Sequence, residues 1–501
     1  MFVGIDLGTS GVKAVLLDRD GVIRASTVEP LSLAQPHPRW SEQAPEHWWQ
    51  ATLTAMDKLI QQAVQHGLAP AAIEAIGLSG QMHGATLLDA QGHVLRPAIL
   101  WNDGRSDAEC AELESLADCH AITGNLAMPG FTAPKLLWLR RHEPEIFARI
   151  DKVLLPKDYL RYRLSGDFVS DPSDAAGTLW LDVAKRAWSR PMLAACGLDV
   201  AQMPALVEGS RRTGSLRADL ARRWSMGEVA IAAGGGDNAA GAVGMGVVRP
   251  GQAMLSLGTS GVFFAVSDGF RARPQQAVHS FCHALPDTWH VMSVMLNAAS
   301  CLDMAARWGG HDGVGNMLEA AESTPMHAQR PWFLPYLSGE RTPHNDVHAA
   351  GMFYGLTSGT RREDLAHAVL EGVGLGLLDG IEAVRAAGVD TGSVSVIGGG
   401  TRSIYWLQML ADIFGRPLQL HSGGDVGPAL GAARLARMAV DGDEDPSIAC
   451  PQPPVLQVLE PRMDRHRDFI AQRQPVFREL YARLRGLHRD AAAADGEGVM
   501  A

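Results

Sequence analysis

The sequence contains two copies of a turn in which two hydroxyl residues are flanked by glycines. The residue types and spacing in this turn are well suited to binding a phosphate. The first copy, Gly8-Thr9-Ser10-Gly11, follows a short apolar segment that contains Asp6. Glycine permits positive φ and leaves room beside the backbone, so N–H groups in such a turn can face an anion. Apolar alternation resumes from Val12 to Leu17, which predicts a β-hairpin. A P-loop would instead lead into a helix.

The same turn recurs as Gly258-Thr259-Ser260-Gly261, again between two apolar segments. Ser256 stands where the first copy has Asp6, so only the first hairpin has a carboxylate beside its turn. A plain hairpin turn would explain either copy alone. Two copies in equivalent contexts indicate two related halves that face one ligand, and a nucleotide held between both turns is the simplest such ligand.

A third glycine-rich segment contains the candidate base. A strand predicted over 229–233 ends in three glycines, and Asp237 and Asn238 then begin a helix of small residues. Such a helix can pack very close to its neighbours. Asp237 is either the N-cap of this helix or a base that takes the proton from a sugar hydroxyl as it attacks ATP. Asp6 is suited to hold hydrated Mg²⁺, which prefers carboxylate and water oxygens.

Polar residues also follow two predicted strands nearer the N-terminus. Met82 and His83 follow the strand 75–79, and Asn102 and Asp103 follow the strand 98–101. Ligands of α/β sheets gather where strand ends meet loops, so these residues are candidates to bind a hydroxylated substrate. The alternative for Met82 and His83 is that they only fill the strand end.

The length and composition limit the function classes. A chain of 501 residues fits two domains and an appendage, and Arg249-Pro250-Gly251 marks the predicted junction. A net charge of −11 argues against a nucleic-acid surface. A helix is predicted over 45–65, with Trp48 and Trp49 in the core. A second glycine-rich turn is predicted at 421–428, and a frayed tail over 491–501.

The location expected for the protein is the cytoplasm. The chain starts directly with a strand, without a secretory signal pattern, and no run reaches eighteen apolar residues. Six cysteines without a C-x-x-C pair indicate reduced thiols. The expected partners are ATP and a small sugar, with no nucleic acid and no membrane, and a homodimer is left open.

An ordered set of motifs resembles the FGGY carbohydrate kinases over about residues 1–485. The motifs are IDLGTSG, SGQMHG, LWNDGR, GGGDNAAGAVG, LSLGTSG, the stretch 351–372, IGGGTRS and GGDVGPALGAA. The resemblance implies an α/β fold with two ribonuclease H-like domains, of the actin-like ATPase type, around a central catalytic cleft. It implies a sugar-binding N-terminal domain over 1–246 and a nucleotide-binding C-terminal domain over 247–440. Residues 441–501 would form a linker, a helix and the frayed tail.

The resemblance also implies the reaction and the site residues. The reaction would be ATP-dependent phosphorylation of D-xylulose, with Asp237 as general base and with Asp6 and Asp237 near Mg²⁺. The residues implied to contact the sugar are Met82, His83, Asn102, Asp103 and Asn238. Those implied to contact the nucleotide are Gly8, Thr9, Ser10, Lys13, Gly258, Thr259, Ser260, Gly399, Gly400 and Ser403.

Two alternatives stay open at this point. One is a kinase of the same family for another ketose or polyol, such as ribulose or glycerol. The other is a sugar or nucleotide sensor, or a chaperone-like ATPase, on the same fold. A sensor gives no reason for the pair Asp237-Asn238 beside Met82-His83.

Overall fold

Two seven-stranded mixed β-sheets organise the computed structural model, which describes residues 1–422, 427–442 and 445–497, with side chains up to 487. The first sheet has the order Arg212–Ser215, Ala230–Ala232, Ala75–Gly80, Phe2–Leu7, Gly11–Leu17 and Ile23–Pro30, and Gly235–Gly236 pairs with Ala75–Gly80. The second sheet has the order His279–Cys282, Trp289–Met295, Gly261–Ser267, Ala253–Leu257, Val394–Ile397, Leu418–His421 and Val455–Leu459.

The two sheets share one topology. In the first, Phe2–Leu7 pairs antiparallel with Gly11–Leu17 and parallel with Ala75–Gly80. In the second, Ala253–Leu257 pairs antiparallel with Gly261–Ser267 and parallel with Val394–Ile397. Both predicted hairpins are therefore confirmed, and the repetition seen in the sequence extends to the surrounding sheet.

Helices and short strand pairs surround the sheets. The helices are Pro45–Gln65, Asp107–Leu116, Cys119–Thr123, Thr132–His142, Pro144–Phe147, Pro156–Ser165, Pro172–Ala176, Arg190–Ala195, Ala218–Arg223, Asp237–Gly244, Ser300–Trp308, Gly313–Ser323, Arg362–Ala386, Ile404–Phe414, Gly427–Asp441, Pro446–Ala449, Met463–Asp468 and Gln474–Glu497. The short pairs are Glu42–Gln43 with Ala98–Ile99, Thr86–Leu88 with Lys152–Leu154, Val169–Ser170 with Ala205–Leu206, Leu181–Asp182 with Ala187–Trp188, and Trp332–Leu334 with Met352–Tyr354.

The helix Pro45–Gln65 has the predicted bounds, and it begins with proline at its first position, where a missing N–H costs nothing. Trp48 and Trp49 are buried against the first sheet, as predicted. The apolar period of 3.6 residues therefore located a core helix correctly.

The other face of the first sheet is covered by a helix from much later in the chain, Gly427–Asp441. Glycines lie at the contacts between this helix and its neighbours, so no side chain holds the backbones apart there. A Cβ built on Gly77 would lie 2.0 Å from the Ala432 oxygen, and one on Gly431 would lie 1.7 Å from the Ala240 oxygen. Gly427–Asp441 therefore packs directly on the first sheet and on the helix Asp237–Gly244, which confirms the predicted close packing of that helix.

The two halves of the chain also share a buried core. Leu136 and Trp180 from the first half lie in one apolar cluster with Phe264 and Met292 from the second sheet. The boundary predicted between 246 and 247 therefore divides the sequence but leaves the two halves in extensive contact.

The end of the chain differs in detail from expectation. The sequence also predicts a helix over 466–487, and the chain is helical there: the α-helix Met463–Asp468 continues through a π-helical turn, Phe469–Arg473, into Gln474–Glu497. The backbone of this last helix extends to Glu497, into the stretch 491–501 predicted as frayed. Of the predicted glycine-rich turn 421–428, residues 423–426 lie outside the described residues.

The cysteine and hydropathy predictions can be compared with the structure as well. All six cysteines lie in the described part of the chain, none forms a disulfide, and five are buried. Among the described residues, no helix combines the length and the apolar character that crossing a membrane requires.

We expect Gly431→Ala to destabilise the protein, because the added methyl group collides with the backbone at Ala240. The free energy of unfolding should fall by roughly 1–3 kcal/mol or more, as for other overpacked cores. Gly486→Ala is the matched control, since Gly486 also lies within a helix and its Cβ would meet nothing within 4 Å. Urea unfolding of both variants measures the difference, and equal stabilities would contradict the close packing described above.

Candidate active site

Asp237 is the first residue of the helix Asp237–Gly244, directly after three glycines. Gly236 occupies the N-cap position, so the alternative of Asp237 as N-cap is wrong. Its Oδ1 accepts hydrogen bonds from the Asn238 backbone N–H at 2.7 Å and from Asn238 Nδ2 at 2.9 Å. Asn238 thereby fixes one carboxylate oxygen of Asp237 and leaves the other for a ligand.

A second carboxylate, Asp6, lies close to Asp237. Burial and, to a smaller extent, the charge of Asp6 together raise the pKa of Asp237 to about 7, against the lowering effect of the hydrogen bonds from Asn238. Burial likewise raises the pKa of Asp6 to about 6, while Ser79 and Lys13 act to lower it. Asp6 Oδ1 is buried without a hydrogen-bond partner. Carboxyl groups with pKa values in this range can exchange protons near neutral pH.

The peptide before Asp237 is fixed by a buried polar network that sequence reasoning missed. Ser173 Oγ accepts the Gly236 N–H at 3.1 Å and donates to Asp171. Asp171 pairs with Lys157 at 2.9 Å, and all of these side chains are fully buried. Burial also raises the pKa of Asp174 well above its usual range. The only local signal was the run Asp171-Pro172-Ser173, which is typical of a helix start.

Met82 and His83 follow the strand Ala75–Gly80, and Met82 lies against Gly236, the residue before Asp237. A Cβ on Gly236 would lie 3.0 Å from Met82 Cγ, so that glycine makes room for Met82. His83 adopts a φ of 69°, and its carbonyl accepts from Thr132 Oγ1 at 3.1 Å and Lys135 Nζ at 3.0 Å. These contacts hold His83 in a conformation that non-glycine residues seldom adopt.

The His83 ring has a defined protonation state. Burial, helped by the charges of Lys135 and Arg341, lowers its pKa to about 3, against the hydrogen bond with Gly177, which acts to raise it. Nδ1 lies 2.7 Å from the Gly177 carbonyl oxygen, so Nδ1 carries the proton and donates. Nε2 of the neutral ring is therefore an acceptor. His83 can thus accept a hydrogen bond from a substrate hydroxyl.

Asn102 and Asp103 have different surroundings. Asn102 is exposed on its turn. Asp103 is buried and accepts hydrogen bonds from the Ser41 backbone at 2.6 Å and from Arg105 Nε at 2.9 Å. Its carboxylate is therefore committed to holding this loop. The sugar contacts predicted for Asn102 and Asp103 stay predictions, and Asn102 is the more accessible of the two.

The first glycine turn is anchored to its neighbours. Gly8 N–H donates to the Gly11 oxygen at 2.9 Å, which closes the hairpin. Thr9 Oγ1 donates to Gln81 Oε1 and accepts from Trp101 Nε1, both at 2.9 Å. Ser10 at the tip is exposed. Lys13 lies opposite Asp6 in the antiparallel register. Gln81 thus joins this turn to Met82, a link that the sequence did not reveal.

The second turn lies beside the predicted nucleotide contacts Gly399, Gly400 and Ser403. The Thr259 carbonyl accepts from the Ala298 N–H at 2.8 Å and from Ser300 Oγ at 3.0 Å. The strands Ala253–Leu257 and Val394–Ile397 are parallel neighbours, so the turns that follow them meet at one sheet edge. The turns bring together the predicted nucleotide contacts Gly258, Thr259, Ser260, Gly399, Gly400 and Ser403.

The three glycines that follow the strand Val394–Ile397 differ in backbone conformation and in exposure. Gly398 has a φ of 92°, and a Cβ there would lie 2.7 Å from the Leu257 oxygen. Gly400 is buried against Leu257, whereas Gly399 is exposed and a Cβ there would meet nothing within 4 Å. Ser403 Oγ accepts the Trp406 N–H at 3.2 Å and is the N-cap of Ile404–Phe414. Gly399 is therefore the residue of this turn most open to a ligand.

Sequence comparisons assign this site to a family. Residues 1–244 match the N-terminal domain of the FGGY family of carbohydrate kinases, and residues 253–440 match its C-terminal domain. The chain belongs to the FGGY family of carbohydrate kinases. The expected α/β fold with two domains of the actin-like ATPase type is thereby confirmed.

Individual FGGY relatives are similar over nearly the whole chain. A xylulose kinase from Escherichia coli K12 is 59% identical over 97% of this chain and 99% of its own length. A xylulose kinase from Klebsiella pneumoniae is 55% identical over 97% of this chain and 100% of its own. The crystal structure of a xyloylose kinase from Brucella ovis superposes with a TM-score of 0.93 at 48% identity, over 97% and 99% of the two chains.

Membership in the FGGY family makes the protein an enzyme that phosphorylates a sugar, with ATP as the phosphoryl donor. Among the described residues, no group of three or more His, Cys, Asp or Glu side chains is arranged to hold a metal ion.

The raised pKa of Asp237 predicts a pH-dependent stability. A carboxyl whose pKa rises from 3.8 in the unfolded chain to about 7 stabilises the fold below pH 4, and this contribution is lost as the pH rises through 7. Asp237→Asn removes the buried charge. We expect its melting temperature to exceed that of the wild type by roughly 2–4 °C at pH 8 and to match it near pH 4.5. A variant less stable than the wild type at pH 8 would contradict the buried, raised carboxyl.

Proposed function

We propose that the protein transfers the γ-phosphoryl group of ATP to the terminal 5-hydroxyl of D-xylulose. The observation that carries this proposal is the half-buried Asp237, which is held by Asn238 and lies next to Asp6 at the sheet edge that carries the first phosphate turn. The substrate is supported by the 59% identical relative, which is a xylulose kinase.

In the proposed mechanism Asp237 is the general base. Its free carboxylate oxygen takes the proton of the 5-hydroxyl as the hydroxyl oxygen attacks the γ-phosphorus. A pKa of about 7 leaves enough carboxylate at neutral pH and still favours proton uptake. Asn238 and the network behind Ser173 keep the carboxylate in position.

The sugar is proposed to bind mainly to the N-terminal domain, 1–246. Met82 packs along the carbon chain, His83 Nε2 accepts a hydroxyl proton, and Asn238 and Asn102 contact further hydroxyls. Pairing each hydroxyl with a protein group orients the chain so that only its terminal hydroxyl reaches Asp237.

The nucleotide is proposed to bind mainly to the C-terminal domain, 247–440. The turn at Gly258, Thr259 and Ser260 faces the phosphates, and Gly399 and Gly400, with Ser403 nearby, line the adenosine site. Gly8, Thr9, Ser10 and Lys13 contact the terminal phosphates from the opposite sheet. Phosphates held between two sheets would be shielded from water, which otherwise competes as the acceptor.

A Mg²⁺ ion fits this arrangement. The buried Oδ1 of Asp6 has no hydrogen-bond partner, and two neighbouring carboxylates with raised pKa values favour a cation. Asp6 and Asp237 would hold the hydrated ion. When bound, the ion neutralises phosphate charge.

The alternative function within the family is phosphorylation of another ketose or polyol, such as ribulose or glycerol. The catalytic side chains would be the same, because only the contacts to the distal part of the sugar differ. A sensor without catalysis is disfavoured by the raised pKa of Asp237, which a binding site does not need.

We expect Asp237→Asn to lower kcat by about a hundredfold or more, because the amide cannot accept the proton. The variant preserves the shape of the side chain, so the fold should persist. Asp219→Asn is the control, since Asp219 is exposed and pairs with the exposed Arg217. A coupled assay of ADP release measures both variants, and near-normal turnover by Asp237→Asn would refute the assignment of the base.

We expect D-xylulose to have the highest kcat/KM in a panel that includes L-ribulose, glycerol and xylitol. A site that pairs buried polar groups with each hydroxyl rejects analogues that leave such groups unpaired. The panel is measured at saturating ATP, with the product position assigned by NMR. A value for glycerol or L-ribulose equal to that for D-xylulose would favour the alternative substrates.

A further inference from the structure

The second glycine turn is held in place by the segment 296–299, which follows a strand of the second sheet. The Ala298 N–H donates to the Thr259 oxygen at 2.8 Å. The Ala299 N–H donates to the Gly258 oxygen at 3.0 Å. Two carbonyl groups of the turn are therefore fixed by two successive residues of this segment. A shift of the segment would change the orientation of the turn, because these hydrogen bonds join backbone to backbone.

The strand that leads into this segment, Trp289–Met295, ends beside the loop 338–342. The Thr342 N–H donates to the Val294 oxygen at 3.1 Å, and the Val294 N–H donates to Thr342 Oγ1 at 3.0 Å. Two hydrogen bonds between one pair of residues fix the loop along the end of the strand. The loop is therefore held against the chain immediately before the segment 296–299.

Glu340 connects this loop to the segment itself. Its Oε1 accepts hydrogen bonds from the Leu296 N–H at 3.0 Å and from the Arg341 N–H at 2.7 Å. Ser338 Oγ also donates to Asn297 Oδ1, at 3.4 Å, which is a longer and weaker contact. The carboxylate of Glu340, which is 3% exposed, is therefore the main side-chain link between the loop and the first residue of the segment.

The carboxyl group of Glu340 is buried at a cost to stability. Burial raises its pKa to about 7, against the hydrogen bonds from the Leu296 and Arg341 N–H groups and the charge of Arg341, which act to lower it. In the part of the chain that the structure describes, Glu340 Oε2 and Asn297 Nδ2 are buried without a hydrogen-bond partner. The favourable contribution of this carboxyl group is therefore confined to the hydrogen bonds that its other oxygen accepts, and these fix the segment 296–299.

We propose that Glu340 is a positioning residue for ATP, which holds the segment 296–299 so that the second glycine turn keeps the orientation that binds phosphate. In this role Glu340 acts through the Leu296 N–H and the backbone that follows it, and the turn itself contacts the nucleotide. The donors to Glu340 are neutral N–H groups, so the reach of the side chain matters more than its charge. This inference rests on the proposed function, because it takes the turn at Gly258 as a phosphate site.

We expect Glu340→Asp to raise KM for ATP by about tenfold, because the shorter side chain does not reach the Leu296 N–H from the same backbone position. KM for D-xylulose should stay within about twofold of the wild type, since its proposed contacts lie in the first half of the chain. Glu340→Gln keeps an oxygen at the same reach, so its KM for ATP should also stay within about twofold. Each KM is measured with the other substrate saturating.

Glu479→Asp is the matched control, because Glu479 lies in the same half, is 57% exposed and pairs with Arg483 one turn along its own helix. It should leave both KM values unchanged. If Glu340→Asp does not fold, Thr342→Val provides the answer: it removes the Oγ1 acceptor of the Val294 N–H, which loosens the same loop, and should raise KM for ATP by about threefold. A lower melting temperature with KM for ATP unchanged, or an equal rise in both KM values, would overturn the positioning role.

Hydrogen exchange with mass spectrometry separates a failure of this inference from a failure of the proposed function. In Glu340→Asp without ligands, the peptide 294–300 should exchange faster than in the wild type. In the wild type, ADP with Mg²⁺ should slow exchange in the peptide 257–262. No slowing there would overturn the proposed phosphate site and this inference with it. Slowing there, with KM for ATP unchanged in Glu340→Asp, would overturn this inference alone.

Discussion

The structure depends on keeping two carboxylates, Asp6 and Asp237, together in a buried place. Burial disfavours the ionised form of both carboxyls and raises both pKa values, and the charge of Asp6 adds to the rise at Asp237. A protein that only needed to fold would gain by replacing one of them. The surrounding polar network and the close backbone packing hold these two carboxylates together, although burying them lowers the free energy of unfolding.

Asp237 is held in position mostly by contacts of the backbone. Asp237 begins a short helix that is packed against Gly427–Asp441 so closely that Gly431 has no room for a methyl group. The peptide before it is held by Ser173, which connects it to Asp171 and Lys157. Because interiors this dense deform little, a displacement of either contact would move the carboxylate itself. The position of the base therefore depends on residues up to 200 positions away in the sequence.

Local features of the site could be predicted from the sequence. The hairpins around Gly8 and Gly258 and the helix start at Asp237 follow from short-range patterns of glycine, hydroxyl and apolar residues. Ser173 and Lys135 were missed, because their importance comes from contacts between distant segments that no single-sequence period encodes. Asp103 was assigned to the sugar from its position at a strand end, but its partner Arg105 engages the carboxylate within the loop. Such a pairing is visible only once the loop is folded.

The central claim is that the two glycine turns, on separate sheets, hold one nucleotide. Hydrogen exchange with mass spectrometry tests it directly, by following peptides that contain residues 7–13 and 257–262 as a non-hydrolysable ATP analogue and Mg²⁺ are added. The account predicts slower exchange in both peptides, with the same dependence on analogue concentration, in the presence of D-xylulose. Protection of only one turn at saturating analogue would contradict it.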